Sequence, residues 1–311
     1  MDNSSGSDLS SSNTPAIEVT DLHFKFQQDL PEIIRGIDLE LTPGSRCLLI
    51  GANGAGKSTL LQILAGKRLT RSKAKVLGQD VFFNTPAGVT YLGTEWASNP
   101  VVRSDLIVSH FLDSIGGYRY KARRDRLLDI LDVDLDWHMH ELSDGERRRV
   151  QIVQGLMAPW SLLLLDEVTV DLDVMVRQEL LEFLIEDTVA RGCTVLYATH
   201  IFDGLDTFPT HVCHLQLGAT IAPTPLQWPL SPNQQQTDIP VDTIQKMFDP
   251  DRVGSQLLVL ALHWLTEDRK IRLALEAEGQ AGFRKRGARA DGSVPSDSET
   301  FYRRYDYSNN M

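Results

Sequence analysis

The chain of 311 residues has 42% hydrophobic and 23% charged side chains, the balance of a globular protein long enough to bury a sizeable core. With 31 Lys and Arg against 42 Asp and Glu, its net charge of −11 disfavours general binding to nucleic acid or anionic membranes. Three cysteines (Cys47, Cys193, Cys213), none in a C-x-x-C, exclude a disulfide scaffold and fit a reducing compartment.

Residues 1–15 are rich in Ser and Asn, lack Lys and Arg, and read as a disordered tail without the basic and apolar parts of a signal peptide. Alternation at Ile17, Val19, Leu22, Phe24 and Phe26 predicts a strand, and Ile37, Leu39 and Leu41 a second. Thr42-Pro43-Gly44 turns the chain into the apolar run 46–50, a buried strand, and Leu60, Leu61, Ile63 and Leu64 follow with helical spacing. Short strands are expected at 75–77 and 89–92. Residues 95–157 then change character, with helical periods at 106–115, 121–131 and 146–157. Alternation of strand and helix resumes at 161–165, 174–190, 194–198 and 212–217, which argues a mainly parallel α/β sheet interrupted by a helical subdomain. Residues 223–240 have the Pro- and Gln-rich composition of a linker, and Val253, Leu257, Leu260, Ala261 and Trp264 trace a tail helix. The polar stretch from Gly282 reads as mostly disordered. The most apolar windows, such as 257–265, are broken by polar residues and fall far short of the roughly 20 residues that span a bilayer. A soluble protein is expected.

Gly51-Ala52-Asn53-Gly54-Ala55-Gly56-Lys57-Ser58-Thr59 fits G-x-x-x-x-G-K-[ST] between an expected strand and helix. Glycines let backbone N–H groups wrap phosphates closely, Lys57 adds a point charge, the Ser58 hydroxyl suits Mg²⁺, and the helix start adds partial positive charge. The run Leu162-Leu163-Leu164-Leu165 ends in Asp166-Glu167, carboxylates at the end of a buried strand, where α/β sheets place their ligands. Asp166 suits Mg²⁺, and Glu167 suits a general base toward an attacking water. Between these motifs, Ser143-x-x-Glu146 is a capping box opening a helix.

In this order the motifs resemble those of the ATP-binding-cassette ATPases, whose signature L-S-G-G-Q stands here as Leu142-Ser143-Asp144-Gly145-Glu146. Phe26, 25 residues before Gly51, matches the family's adenine-stacking aromatic, with Phe24 as the fallback. Val170-Asp171-Leu172-Asp173 matches the loop after the catalytic Glu, and Tyr197-Ala198-Thr199-His200 the strand ending in the switch His. The resemblance covers residues 16–220. It implies a P-loop NTPase fold: an ABC nucleotide-binding domain with an inserted helical subdomain at 95–157 and an antiparallel β portion. A linker and C-terminal helical extension would occupy 221–281, and a mostly disordered tail 282–311. It further implies ATP and Mg²⁺ as ligands, catalysis by Glu167, His200 and Lys57, and metal binding by Ser58 and Asp166. Residues 51–59 and Phe26 would bind the nucleotide in one cassette while Ser143 and Gly145 act from a second, in a homodimer or with a partner half.

Two departures stand out. Asp144 and Glu146 add negative charge to the signature, and Thr94 or Glu95 replaces the Gln that couples such cassettes to transmembrane partners. The altered coupling stretch Tyr91-Leu92-Gly93-Thr94-Glu95-Trp96, without a membrane span, resembles the small transmembrane-less eukaryotic cassettes, of which fungal members are associated with the CCR–NOT complex. That resemblance implies a slow cytoplasmic ATPase, also nuclear, that regulates a soluble complex in transcription or mRNA regulation. The alternatives are the energising subunit of a multi-chain transporter, a non-catalytic ATP-gated scaffold, or a soluble cluster-assembly cassette. His211, Cys213 and His214 read as a packed terminal strand, His138-Met139-His140 as bland, and Arg147-Arg148-Arg149 as a solvated or interdomain helix face. Arg284, Lys285, Arg286 and Arg289 read as ordinary tail.

Overall fold

The structure is a computed structural model that describes residues 14–70, 73–81, 83–84, 87–93, 95–96, 100–231, 239–249, 254–280 and 282–283. Residues 1–13, Thr94, Gln234–Gln236, Val253 and the basic cluster at 284–289 lie outside this set. In chain order, β1 (Ile17–Phe24) and β2 (Ile34–Leu41) pair antiparallel, and β3 (Arg46–Ile50) leads into α1 (Lys57–Leu64). A hairpin of β4 (Ala74–Val76) and β5 (Gln79–Asp80) precedes β6 (Val89–Leu92). Helices α2 (Val108–Ser114), α3 (Lys121–Leu131) and α4 (Asp144–Met157) follow, then β7 (Leu162–Asp166), α5 (Val174–Arg191) and β8 (Thr194–Ala198). Strands β9 (His211–Gln216), β10 (Ala219–Thr220) and β11 (Leu226–Gln227) close the sheet, followed by α6 (Val241–Met247) and α7 (Gln256–Ala277).

The larger sheet runs β10-β9-β3-β8-β7-β6, parallel from β9 to β6, with β11 and β10 antiparallel to β9. Its central strands are buried on both faces, which is why they read as unbroken apolar runs. Leu163 and Leu165 enter one core with the helical subdomain, and Leu162 and Leu164 enter the other with α1 and the antiparallel sheet β2-β1-β4-β5. His211, Cys213 and His214 therefore sit on an internal strand of the sheet and not a terminal one.

Two details differ from the sequence reading. The Leu77-Gly78 and Leu217-Gly218 pairs both hold positive φ, turning the chain into β5 and β10, two-residue strands too short to show periodicity. The described part of the expected linker, 221–231, is packed: β11 pairs with β9, and Trp228 and Leu230 are buried. Its Trp228 indole donates to the Asp206 carbonyl at 2.8 Å. Leu257, Leu260 and Ala261 of α7 join the main core, and Ser255 caps this helix by accepting from the Leu258 N–H at 3.1 Å.

The chain divides into two compact units, 1–269 and 270–311, with α7 crossing the division. In the second unit Arg272 pairs with Glu276 one turn on. No helix among the described residues is long and apolar enough to cross a membrane.

The helical subdomain is fastened to α5 by charge. Asp187 accepts both Nη atoms of Arg123 on α3 at 2.7 and 2.6 Å, and Arg191 Nε at 2.7 Å. Burial acts to raise the Asp187 carboxyl, but the forks of Arg191 and Arg123 outweigh it and hold it down at about 2, from an ordinary 3.8. A carboxyl depressed on folding contributes stability above its unfolded pKa and loses it as pH falls through the folded one. Asp187→Asn is thus expected to lower unfolding free energy by about 3 kcal/mol at pH 7. The gap to the parent should narrow between pH 4 and pH 2, measured by urea unfolding across that range.

Candidate functional site

The ends of three adjacent parallel strands converge. Leu49 of β3 lies opposite Ala198 of β8, and Ala198 lies opposite Asp166 of β7. The phosphate loop after β3, the carboxylates at the end of β7 and His200 just beyond β8 therefore share one edge of the sheet, where an α/β fold binds its ligand.

The loop geometry needs its glycines. Gly54 and Gly56 hold φ of 84° and 101°, and a Cβ on Gly51 would stand 2.3 Å from the Leu215 carbonyl oxygen. Ala52 is half-buried and Asn53 and Gly54 are exposed at the apex, whereas Ala55 and Gly56 are buried. No side chain caps the start of α1 and no acid lies in its first turn, so its leading N–H groups are free to face an anion. Lys57 is buried and donates to the Gly51 and Ala52 carbonyls at 2.7 and 3.3 Å. Burial lowers its pKa, while Glu167 and then Asp166 act to keep it charged. Ser58 is exposed beside the loop and Thr59 is buried under it.

Asp166 is 4% exposed, and its Oδ1 has no hydrogen-bond partner. Its Oδ2 accepts a long bond from the Tyr91 hydroxyl at 3.4 Å. Burial pushes this carboxyl above its usual range, the Ser58 hydroxyl opposes the shift, and neighbouring Glu167 adds to it. A buried, orphaned carboxylate oxygen beside a Ser hydroxyl and a phosphate loop is a donor set for a hard divalent cation, and Ser58 and Asp166 fit Mg²⁺ on that ground. Glu167 leaves the strand at φ 53°, outside the regions favoured by L-residues, and its N–H donates to the Ala198 carbonyl at 2.9 Å. That turn swings its carboxylate to His200, with Oε2 and Nδ1 2.9 Å apart and both side chains partly exposed. An acceptor and an imidazole thus stand together at the mouth of the site.

The signature residues are a separate construction. Ser143 caps α4 and completes the capping box: its N–H and Oγ both donate to Glu146 Oε2, at 2.8 and 2.6 Å. Asp144 accepts from Arg147 at 2.7 Å. Each added acid therefore has its charge engaged, Glu146 by the cap that lowers its pKa and Asp144 by a guanidinium. Gly145 faces the Asp171 carbonyl, 3.4 Å from where a Cβ would lie, and Arg149 donates to Asp173 at 2.9 Å, tying α4 to the loop before α5. Among the described residues neither Ser143 nor Gly145 hydrogen-bonds to the phosphate loop.

Phe26 is 46% exposed, with Phe24 edge-on at 5.3 Å and the Arg68 guanidinium over its ring at 4.6 Å. Arg68 also donates to Gln62, whose amide donates to Glu95 at 2.5 Å, so the rewritten coupling stretch is linked to the aromatic. Thr94 lies outside the described residues.

Sequence reasoning did not single out Tyr91, Arg148 or Gln151 as parts of the site. Of the solvated or interdomain face read for Arg147–Arg149, the solvated half is corrected for Arg147 and Arg148, while the contacts of Arg148 and Arg149 with other segments fit the interdomain half. Arg147 and Arg148 are buried. Arg148 Nη1 donates to the Gly93 carbonyl at 2.8 Å and to Gln151 Oε1 at 2.5 Å, and Nη2 to the Glu167 carbonyl at 3.3 Å. Gln151 also donates to the Gly93 carbonyl, at 3.0 Å. The signal available was that Arg148 and Gln151 lie three apart on one helix face, beside the apolar Ile152 and Leu156.

A family profile described as "ABC transporter" matches residues 34–170. CCR4-associated factor 16 of Saccharomyces cerevisiae is 45% identical over 225 residues, 66% of this chain and 77% of that protein. ABC transporter I family member 21 of Arabidopsis thaliana is 45% identical over 215 residues, 65% of this chain and 76% of that protein. Among solved structures, the ATP-binding subunit of an ABC transporter aligns with a TM-score of 0.58 at 24% identity, covering 66% of this chain and 88% of the other. A dimeric cassette in a post-hydrolysis state with ADP and Pi aligns at 0.56 and 16% identity, covering 66% and 96%. At such identities the solved structures speak for the fold, while the two eukaryotic relatives speak for descent. By sequence and by fold, this chain belongs to the ATP-binding-cassette family.

Proposed function

We propose that two copies of this protein bind ATP with Mg²⁺ between them, hydrolyse it slowly, and use the closing and opening of the pair to regulate a multi-subunit complex. The observation that carries this reading is the Glu167–His200 pair, 2.9 Å apart, beside the buried orphaned oxygen of Asp166. Residues 51–59 cradle the phosphates through backbone N–H groups and Lys57, Phe26 stacks on the base, and Ser58 and Asp166 hold Mg²⁺, which supplies charge neutralisation when bound. Glu167 takes the proton of the attacking water, and His200 contacts the γ-phosphate while orienting Glu167. Ser143 and Gly145 reach the phosphate of the opposite copy, which accords with their separation from the chain's own loop.

For the partner, support comes from the 45% identity to a protein named as a CCR4-associated factor, together with the replacement of the coupling Gln. Transcription and mRNA regulation in the cytoplasm, and also in the nucleus, is the corresponding setting. The test is affinity capture of the Glu167→Gln protein with ATP from soluble and membrane fractions. Recovery of CCR–NOT subunits supports the regulatory reading. The plant relative's name favours a second reading as a transporter's energising subunit, and recovery of a multi-span membrane protein would establish it instead.

Action in trans has its own check. Gly145 leaves room for a methyl group within one chain, so Gly145→Ala should change stability by no more than about 1 kcal/mol. Set against a partner's phosphate, the same methyl should lower turnover at least roughly tenfold. Equal turnover in parent and variant would remove Gly145 from the composite site.

A further inference from the structure

The geometry points to a divalent transition-metal site on the helical subdomain, formed by Asp105, His138 and His140, outside the nucleotide site. The three side chains each bring one ligating atom into a cluster in which all lie within 4.8 Å of one another. Asp105 Oδ1 is 2.8 Å from His138 Nδ1 and 3.3 Å from His140 Nδ1. With metal–ligand bonds of about 2.0–2.1 Å, neighbouring donors on a tetrahedron lie about 3.3 Å apart. The Asp105–His140 pair already stands at that spacing, and the Asp105–His138 pair need open by only about 0.5 Å to reach it.

The backbone holds this arrangement in place. Segments 105–109 and 135–139 are pinned together by three hydrogen bonds: Met139 N–H to the Leu106 carbonyl at 2.8 Å, and Val108 and Ser109 N–H to the Trp137 and Leu135 carbonyls at 2.9 Å. Ile107 and His138 form a β-bridge. Beyond the bridge, Met139 and His140 are the central residues of a β-turn closed by the Glu141 N–H to the His138 carbonyl at 3.0 Å, and the fully buried Met139 anchors its inner side. His138 and His140 are thereby left on the outer side, their rings 5.8 Å apart and edge to face. The turn over a buried Met139 brings the two His together, and the long sequence gap to Asp105 explains why the motif looked bland in the chain.

Two imidazoles and one carboxylate suit zinc-like ions, whereas Mg²⁺ prefers oxygen donors alone. Water completes the shell, with Glu141 Oε1, 3.7 Å from His140 Nε2, close by. Since Ser143 follows His140 by three residues, the ion clips the segment that leads into the signature cap.

The test is Zn²⁺ titration of the full chain by calorimetry in excess Mg²⁺, with Co²⁺ absorption as a second probe. One equivalent is expected, weakened at least tenfold in His138→Ala and in His140→Ala, retained in Asp166→Asn, and without a thiolate–cobalt band. Zn²⁺ should also raise the melting midpoint of the parent and of Asp166→Asn, but not of either His variant. Both His side chains are partly exposed, so their removal leaves the core untouched. Unchanged affinity in both His variants, loss of the equivalent in Asp166→Asn, or no uptake by the parent overturns the site.

Discussion

Glu167→Gln is expected to cut ATP turnover about 10²–10⁴-fold, the span typical for removing a general base, while nucleotide binding persists. Several features make this a clean substitution. Gln has the same shape, and the side chain is partly exposed, so no buried charge is stranded. The amide oxygen still accepts from His200, and the N–H bond to the Ala198 carbonyl that sets the positive φ involves only backbone. In the proposed site the phosphate contacts run through residues 51–59, to which Glu167 makes no hydrogen bond among the described residues. What is lost is a base near the reacting water, together with one of the two carboxylates that keep buried Lys57 charged. The bound phosphates would themselves supply negative charge to Lys57, so affinity is expected within about threefold of the parent, a shift below 1 kcal/mol. Phosphate release and calorimetric nucleotide binding on one preparation separate the two effects. Unchanged turnover would take the base role from Glu167, and the non-catalytic scaffold would follow if the parent also released no phosphate.

The parts of the site legible in the sequence are those whose chemistry is local. The loop 51–59 is contiguous because successive N–H groups must surround one anion, and Asp166-Glu167 are adjacent because one strand end delivers both. The four leucines before them were readable as a strand buried on both faces, and they divide between the two cores in alternation. What could not be read depends on chain segments meeting from far apart. Nothing in three consecutive Arg says that Arg148 faces the Gly93 and Glu167 carbonyls while Arg149 reaches Asp173. The hairpins at Leu77-Gly78 and Leu217-Gly218 place Leu at positive φ, a conformation that its propensity opposes and that a two-residue turn between paired strands imposes. Proline content suggested a linker where Trp228 and Leu230 instead supply core volume. Nor could the sequence say that Asp144 and Glu146, which add negative charge to the signature, are engaged by Arg147 and by the cap.

Arg148→Met should lower unfolding free energy by about 2–4 kcal/mol and reduce turnover about 10–100-fold, with smaller effects on nucleotide affinity. Met has comparable length and fills the volume, so the change isolates the guanidinium. Its removal strands one buried and one part-buried acceptor: Gln151 Oε1 loses a donor at 2.5 Å and the Glu167 carbonyl one at 3.3 Å, whereas the Gly93 carbonyl keeps Gln151 Nε2 at 3.0 Å. Each orphaned buried acceptor costs about 1–3 kcal/mol, which sets the stability range. The catalytic effect has a different origin. One guanidinium bridges the exit of β6, which leads to Glu95, and the peptide of Glu167, whose conformation aims its carboxylate. Without that bridge the Glu167 turn relaxes, and a displacement near 1 Å from productive geometry costs roughly 10²-fold. Arg148→Lys is the discriminating companion, since an ammonium can satisfy one carbonyl but cannot span both as a planar fork does. Urea unfolding with turnover on the three proteins should place Lys near the parent in stability but near Met in rate. If rate simply followed stability across the series, Arg148 would be a packing residue rather than one that positions Glu167.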